Sequence, residues 1–337
     1  MSSVRCRVVV TGGAGFIGSH LVDALSEAHD VFVVDNFTSG RRENLSQHDG
    51  NPSVKVEEAD VCDLAAMERL LAGAEVVYHL ATQCVRLSLQ DPELVHRVNS
   101  TGALNVCRAA LKNGVRRLVY VSSSEVYGTA QRVPMDETHP CEPTTVYGAS
   151  KLTGELYAKA FMRTYGLPVV VVRPFNTYGP RSHFEGVYGE VIPRFLVRAL
   201  NGLPPVIFGD GKQSRDFTYV SDTVGGILLA GASDDLLGRV VNVGRGREIT
   251  ILELARLVQA ATKVTPVEPE FVAERPGDVR RHYADITLAR RLLAFEPEVS
   301  IEQGLREYAA WFKKEHPDLR KCLEQVEGVN WRVGVSL

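Results

Sequence analysis

The chain predicts an α/β fold: a doubly wound parallel sheet followed by a smaller α/β substrate-binding domain. Three observations carry this. Short β-branched runs alternate with longer helical stretches over the first 175 residues. Those runs are near-continuous Val and Ile, as in strands buried on both faces. The first run also opens into a glycine-rich turn that leads directly into a helix.

Residues 7–11, 31–35, 54–58, 76–80, 118–122 and 169–173 read as strands. Residues 17–28, 64–71, 94–112 and 146–165 read as the intervening helices. Right-handed crossovers then make the sheet parallel. Beyond Pro174 the rhythm breaks. Gly, Pro and Arg punctuate 178–188, a predicted loop. A helix is expected over 191–200, and a short strand over 205–208 closed by a Gly209-Asp210-Gly211 turn. Amphipathic helices are expected over 250–262 and 300–314, with Thr250 and Ser300 as N-caps. No repeat, low-complexity segment or linker is present, so the two parts should pack closely.

The chain has 337 residues, a length that fits two domains. Lys plus Arg is 38 against 41 Asp plus Glu, a net charge of −3, which argues against a nucleic-acid binder. No apolar run reaches the roughly 18 residues of a membrane span. The opening MSSVRCRVVVTGG lacks a signal-peptide pattern. Cysteines at 6, 62, 84, 107, 141 and 322 form no Cys-x-x-Cys pair, so no metal site is expected. A cytoplasmic protein with reduced thiols is predicted.

Gly12, Gly15 and Gly18 allow a tight turn, close approach of backbone to a pyrophosphate, and close helix–sheet packing. The helix N-terminus at Phe16 and Ile17 then offers free N–H groups to the anion. Asp35, twenty residues beyond Gly15, ends the second strand, where its carboxylate can hold both ribose hydroxyls. It would repel a 2′-phosphate, so NAD is favoured over NADP. This is a Rossmann-type arrangement. Residues 1–174, with 217–243 returning to them, are assigned to the NAD-binding domain; 175–216 and 244–337 are assigned to the second domain. Asp60-Val61, at the third strand's end, is placed either beside the adenine or as a strand-end cap.

Tyr147 and Lys151 are four apart on a predicted helix, so both face one way. Ser122-Ser123-Ser124 ends the fifth strand, at the edge where such sheets bind ligands. A tyrosine with a pKa of about 10 is a poor base, and lowering it to ~7 costs about 4 kcal/mol. A neighbouring ammonium and a positive nicotinamide ring both favour the phenolate. A serine hydroxyl can bridge to the substrate alcohol.

With these residues the chain resembles the extended short-chain dehydrogenase/reductase family of nucleotide-sugar epimerases and dehydratases. The matching segments are TGGAGFIGSHL (11–21), DNFTSGRRENL (35–45), HLA (79–81), VNSTG (98–102), SSSEVYG (122–128), YGASK (147–151) and RPFNTYGPR (173–181). FGDGKQSRDFTYVSD (208–222), NVG (242–244) and RPGD (275–278) extend the match through the C-terminal half. The resemblance implies a tightly held NAD, an NDP-sugar oxidised at C4, with a UDP-sugar expected, and a homodimer built from the helices near 94–112 and 146–165. Carried over by position, Tyr147 is the base, Lys151 its partner and ribose ligand, and Ser123 the hydroxyl on the reacting alcohol. Asn36, Leu80 and Ala81 fall in the cofactor segments, and Asn99 matches a residue bracing that site. Asn176 matches a phosphate contact, Phe208 a nucleobase platform, Arg215 and Arg275 diphosphate clamps, and Asp278 a ribose ligand. Cys84 stands where some epimerases carry a lysine.

Three reactions share the 4-keto intermediate. Dehydratases of the family use an Asp-Glu pair, and here Ser124 replaces the aspartate although Glu125 remains. Losing that acid argues against expelling the C6 hydroxyl. Ser123 to Gly128 matches UDP-glucuronate decarboxylases, whereas Ala81 to Arg86 with Asp91-Pro92 resembles UDP-glucuronate 4-epimerases. A C6 carboxylate wants charge-assisted donors, for which Ser122, Ser123, Ser124, Thr177, Arg86 and Arg181 are candidates. The expectation is 4-epimerisation of UDP-glucuronate, with its decarboxylation, UDP-glucose epimerisation and a non-catalytic NAD-binding regulator as alternatives. The final GVNWRVGVSL carries no functional reading.

Overall fold

The computed structural model describes residues 5–333. The outer ends of both assigned domains and the last four residues of the C-terminal stretch lie outside the described residues.

Strands β1 (Arg7–Thr11), β2 (Asp30–Asp35), β3 (Val54–Glu58), β4 (Val76–His79), β5 (Arg117–Val121) and β6 (Val169–Pro174) form the first half. Helices α1 (Phe16–Ser26), α2 (Leu64–Leu70), α3 (Pro92–His96), α4 (Gly102–Lys112) and α5 (Val146–Tyr165) connect them. The second half adds β7 (Asn176–Tyr178), β8 (Val206–Phe208), β9 (Ser214–Tyr219), β10 (Val240–Val243), β11 (Glu248–Thr250), β12 (Glu270–Val272) and β13 (Arg281–His282). Its helices are α6 (Val191–Leu200), α7 (Val220–Ala232), α8 (Ile251–Thr262), α9 (Thr287–Leu293), α10 (Ile301–Glu315) and α11 (Leu319–Glu324).

Seven strands form one parallel sheet in the order β10-β6-β5-β4-β1-β2-β3. The predicted doubly wound fold is therefore present. Val8, Val10 and Val33 bury one face under α1 and α7, while Val9, Val34 and Val77 bury the other under α2 and α4. The order reverses between β1 and β4, which opens a crevice at their carboxyl ends. Of the 217–243 stretch, α7 and β10 join this sheet, whereas β9 belongs to a small sheet with β7, β11 and β13. A third aromatic core, with Tyr178, Phe195, Phe217, Tyr308 and Phe312, supports that second sheet.

Local chemistry sets the helix ends. Thr145 caps α5 by accepting from the Gly148 N–H at 3.1 Å, and Gly166 ends it at φ 76°. Thr250 and Glu253 form a capping box on α8, and Ser300 caps α10. The helix predicted over 94–112 is interrupted: a wide π turn, Arg97–Thr101, separates α3 from α4. Asn99 in that turn spends its side chain on four hydrogen bonds to other segments, which explains the bulge. The loop predicted from 178 begins one residue later, because 176–178 pair in parallel with 217–219 as β7, a strand not predicted.

Candidate active site

A deep cleft runs from the first glycine turn, past the ends of β4 and β5, to the small sheet. Gly12, Gly15, Phe16, Ile17, Gly18, Asp35, Asn36, Val61, Leu80 and Ala81 all line its cofactor end. Gly12 has φ +74°, and a Cβ there would sit 2.5 Å from the Ala81 nitrogen. A Cβ on Gly18 would lie 2.1 Å from the Gly12 carbonyl oxygen. The turn is thus closed by backbone on backbone, and only glycine fits. Gly15 caps α1 without any side-chain hydrogen bond, so the first N–H groups of the helix face the cleft uncapped. These features fit a pyrophosphate.

Asp35 accepts from the Ala14 N–H and the Phe37 N–H, both at 2.9 Å, and burial raises its pKa against those bonds. Asp60 stands behind the wall. Burial pushes its pKa up, but bonds from Cys62 and Asn36 outweigh this and hold it below the ordinary range. Asn99 also stands behind the wall, joining Gln83 and Thr82 to Ser150 of α5 at 2.8–3.2 Å.

Tyr147 and Lys151 lie one turn apart at the start of α5, and both line the cleft with Ser123, Ser124 and Glu125. Ser123 shares a hydrogen bond with the Tyr147 phenol, which lowers its pKa, but burial dominates and raises it to about 12. The Lys151 ammonium donates to the Val121 carbonyl at 2.7 Å. Burial lowers Lys151 to about 7, with Glu155 opposing. The protein alone therefore does not lower the phenol as expected; desolvation exceeds the local favourable interactions. Glu125 is half-buried, and desolvation raises its pKa with Arg215 and Arg275 pulling the other way.

Several expected carboxylate donors prove to be engaged elsewhere. Ser122 donates to Glu155 at 2.5 Å, and Glu155 in turn holds Arg173 through bonds of 2.8 and 2.6 Å. Arg181 does not reach the cleft: its backbone turns at φ +67° and its guanidinium pairs with Asp23 on α1 at 2.7 Å. Its assignment to the substrate is corrected on that ground. Arg86 lines the cleft but donates to the carbonyls of Val187 at 2.7 Å and Tyr188 at 2.6 Å. Thr177 bonds to Thr223 at 3.0 Å.

At the far end, Arg215 and Arg275 converge on one oxygen of Asp278, at 2.5 and 2.7 Å. All three line the cleft together with Asn176 and Phe208. The Asn176 side-chain oxygen is buried without a partner. Sequence reasoning missed Gln83, Tyr188, Glu190, Arg194 and Asn330, which share the wall. Glu190 rises to about 7 through burial, opposed by Arg86. Glu190 immediately precedes the predicted helix and Arg194 lies four residues on, but nothing local aimed them inward. Among the described residues no acidic, His or Cys cluster could hold a metal ion, and no helix is long and apolar enough to cross a membrane.

A Rossmann crevice with an uncapped helix start, a Tyr–Lys pair and a cationic far end defines a dinucleotide-dependent enzyme of the short-chain dehydrogenase type. The chain belongs to the NAD dependent epimerase/dehydratase family, whose model matches residues 8–244, and NAD is its cofactor. It is 38% identical over 312 residues to the UDP-glucose 4-epimerase of Mycolicibacterium smegmatis, covering 91% of this chain and 98% of that protein. It is 38% identical over 310 residues to UDP-glucuronic acid decarboxylase 2 of Arabidopsis thaliana, covering 89% and 66%. The structure of a UDP-glucose 4-epimerase from Thermotoga maritima with UDP-glucose is similar at TM-score 0.86 and 38% identity, covering 92% and 99%. A UDP-glucuronic acid 4-epimerase from Bacillus cereus has TM-score 0.86 at 29% identity, covering 92% and 99%.

Proposed function

We propose that the protein is a UDP-sugar 4-epimerase acting on a hexose with an uncharged C6, such as UDP-glucose or UDP-galactose. The observation that carries this reading is the polarity of the cleft. Ser122 and Thr177 have engaged their hydroxyl donors, Arg86 spends Nε and Nη2 on main-chain carbonyls, and Arg181 lies outside. Two half-buried carboxyl groups, Glu125 and Glu190, face the same space. A hexuronate carboxylate would enter beside two carboxyl groups whose pKa values burial already raises, which disfavours the sequence-based expectation of UDP-glucuronate.

NAD, held by the glycine turn, the α1 N-terminus and Asp35, would take hydride from sugar C4 and return it to the opposite face. Tyr147 takes the C4 hydroxyl proton, directly or through Ser123, and gives it back. Its raised pKa means that it ionises only against nearby positive charge, and Lys151 on the same helix face is the residue placed to supply one. Arg215 and Arg275 suit a diphosphate because their planar forks match phosphate oxygens. They would hold the nucleotide while the sugar turns. The homodimer implied by the resemblance belongs to this proposal, and α5 leaves Leu156 and Tyr165 57% and 60% exposed.

Glu125 favours a second reading. Burial raises its pKa, which favours the acid form, and a carboxylic acid in the same cleft as Tyr147 can serve an elimination or a decarboxylation. Incubation with UDP-glucose, UDP-galactose and UDP-glucuronate separately, followed by NMR of the products, tests both. The expected result is interconversion of the first two. UDP-xylose or a 4-keto-6-deoxy sugar as main product would replace the proposal by the second reading.

A further inference from the structure

The C-terminal stretch carries no motif, yet residues 327–331 are tied into the cleft. Arg194, in the first turn of α6, donates through Nη2 to the carbonyls of Glu327 at 2.8 Å and Gly328 at 2.9 Å. Its Nη1 donates to Asn330 Oδ1 at 3.2 Å. The Asn330 amide donates onward to the Gly189 carbonyl at 2.7 Å. Asn330 is 2% exposed and lines the cleft. Neighbouring Val187 and Tyr188 supply the carbonyls that hold Arg86, so the tail also buttresses that arm of the wall.

Arg194 is a buried cation on which Glu327 acts without forming an ion pair. Among the described residues no carboxylate forms an ion pair with it, and its Nε is buried without a partner. It lies 5.2 Å over the Phe208 ring, and Trp331 meets the same ring edge-on at 6.4 Å. Burial and the nearby Arg86, Arg198 and Arg275 push its pKa down to about 10, with Glu327 opposing. An unpaired buried charge is costly, and an arriving anion relieves the cost.

We propose that residues 327–331 form a latch that holds Arg194 over Phe208, and that Arg194 is a third arginine for the diphosphate of the nucleotide, beyond Arg215 and Arg275. This rests on the nucleotide-sugar reading above. The latch works in one direction: carbonyls and the Asn330 amide fix the guanidinium without neutralising it, so its charge stays available to a ligand.

The test is calorimetric binding of UDP and of uridine to the NAD-loaded wild type, Arg194→Gln, Asn330→Ala and a chain ending at Val326. Bound NAD and melting temperature are recorded for each. The expected result is at least a tenfold loss of UDP affinity in Arg194→Gln and in the truncated chain, and a three- to fivefold loss in Asn330→Ala. Bound NAD stays at the wild-type level. Uridine, which lacks the diphosphate, should lose less than threefold in Arg194→Gln. UDP affinities within twofold of wild type overturn the latch, and equal losses for UDP and uridine overturn the role of the Arg194 charge. A wild type that binds no UDP removes the nucleotide-sugar reading itself.

Discussion

The two ends of the cleft are made differently. The cofactor end is mostly backbone: glycines pressed against Ala81 and a helix start with no side-chain cap. The substrate end is mostly side chains, brought by β8, β9, α6, the segment before β13 and the C-terminal stretch. Backbone-built ground serves every member that uses the same cofactor. Side-chain-built ground can be refitted one residue at a time, which fits the mixture of UDP-glucose, UDP-glucuronate and dTDP-glucose enzymes among the similar structures.

Substitutions at the junction and at each end should separate these halves. Tyr147→Phe, where the halves meet, should lower kcat by about 10²–10⁴-fold, measured by NMR, while leaving NAD content and UDP affinity near wild type. Undiminished turnover would remove Tyr147 from the proton transfer. Arg275→Ala should weaken UDP by about 1.5–3 kcal/mol and leave NAD in place, because only side-chain bonds at the far end are lost. Simultaneous loss of NAD would show that the ends are not separable.

Gly12→Ala should do the reverse. Its new Cβ meets the Ala81 backbone at φ +74°, so destabilisation of about 1–3 kcal/mol and reduced NAD occupancy are expected. UDP binding by the molecules that remain folded should persist. Denaturant titration with cofactor quantitation checks this.

A smaller, graded effect compares one buried histidine from each half. His79 and His282 are both lowered from 6.5 to about 3, mainly by burial. Between those values the unfolded chain binds protons that the folded chain does not. Stability should therefore rise with pH across that window and fall on acidification, by roughly 1.4 kcal/mol per pH unit for each histidine. Urea titrations at pH 4.5, 5.5 and 7.5 measure the slope, and His282→Gln should remove about half of this contribution. An unchanged slope would show that His282 does not titrate on unfolding.

Legibility follows the same division. The six predicted strands and the α8 and α10 caps were readable because β-branched runs and capping residues act within a few positions. The strands of the small sheet were not: β7, β11 and β13 have two or three residues each and take their identity from pairing with β9, which was itself not predicted. The glycine turn, Tyr147 and Lys151 were readable because their spacing is itself the geometry. Ser122 misled because it lines the cleft as Ser123 does, yet its hydroxyl is spent on Glu155, a partner 33 positions away that no local pattern announces. Arg181 left through a positive-φ turn that its sequence does not announce. Asn330 reaches Gly189 across 141 positions, which no local pattern encodes.

The π turn has one more consequence. Through Asn99 it welds the strip after β4 to the helix carrying Tyr147, so the two cannot slide apart. If a hexose is to show both of its faces within that welded frame, the swivel must come from the ligand's own torsions about its phosphoester linkage. The enzyme would act as a stator around a rotor that it does not covalently own.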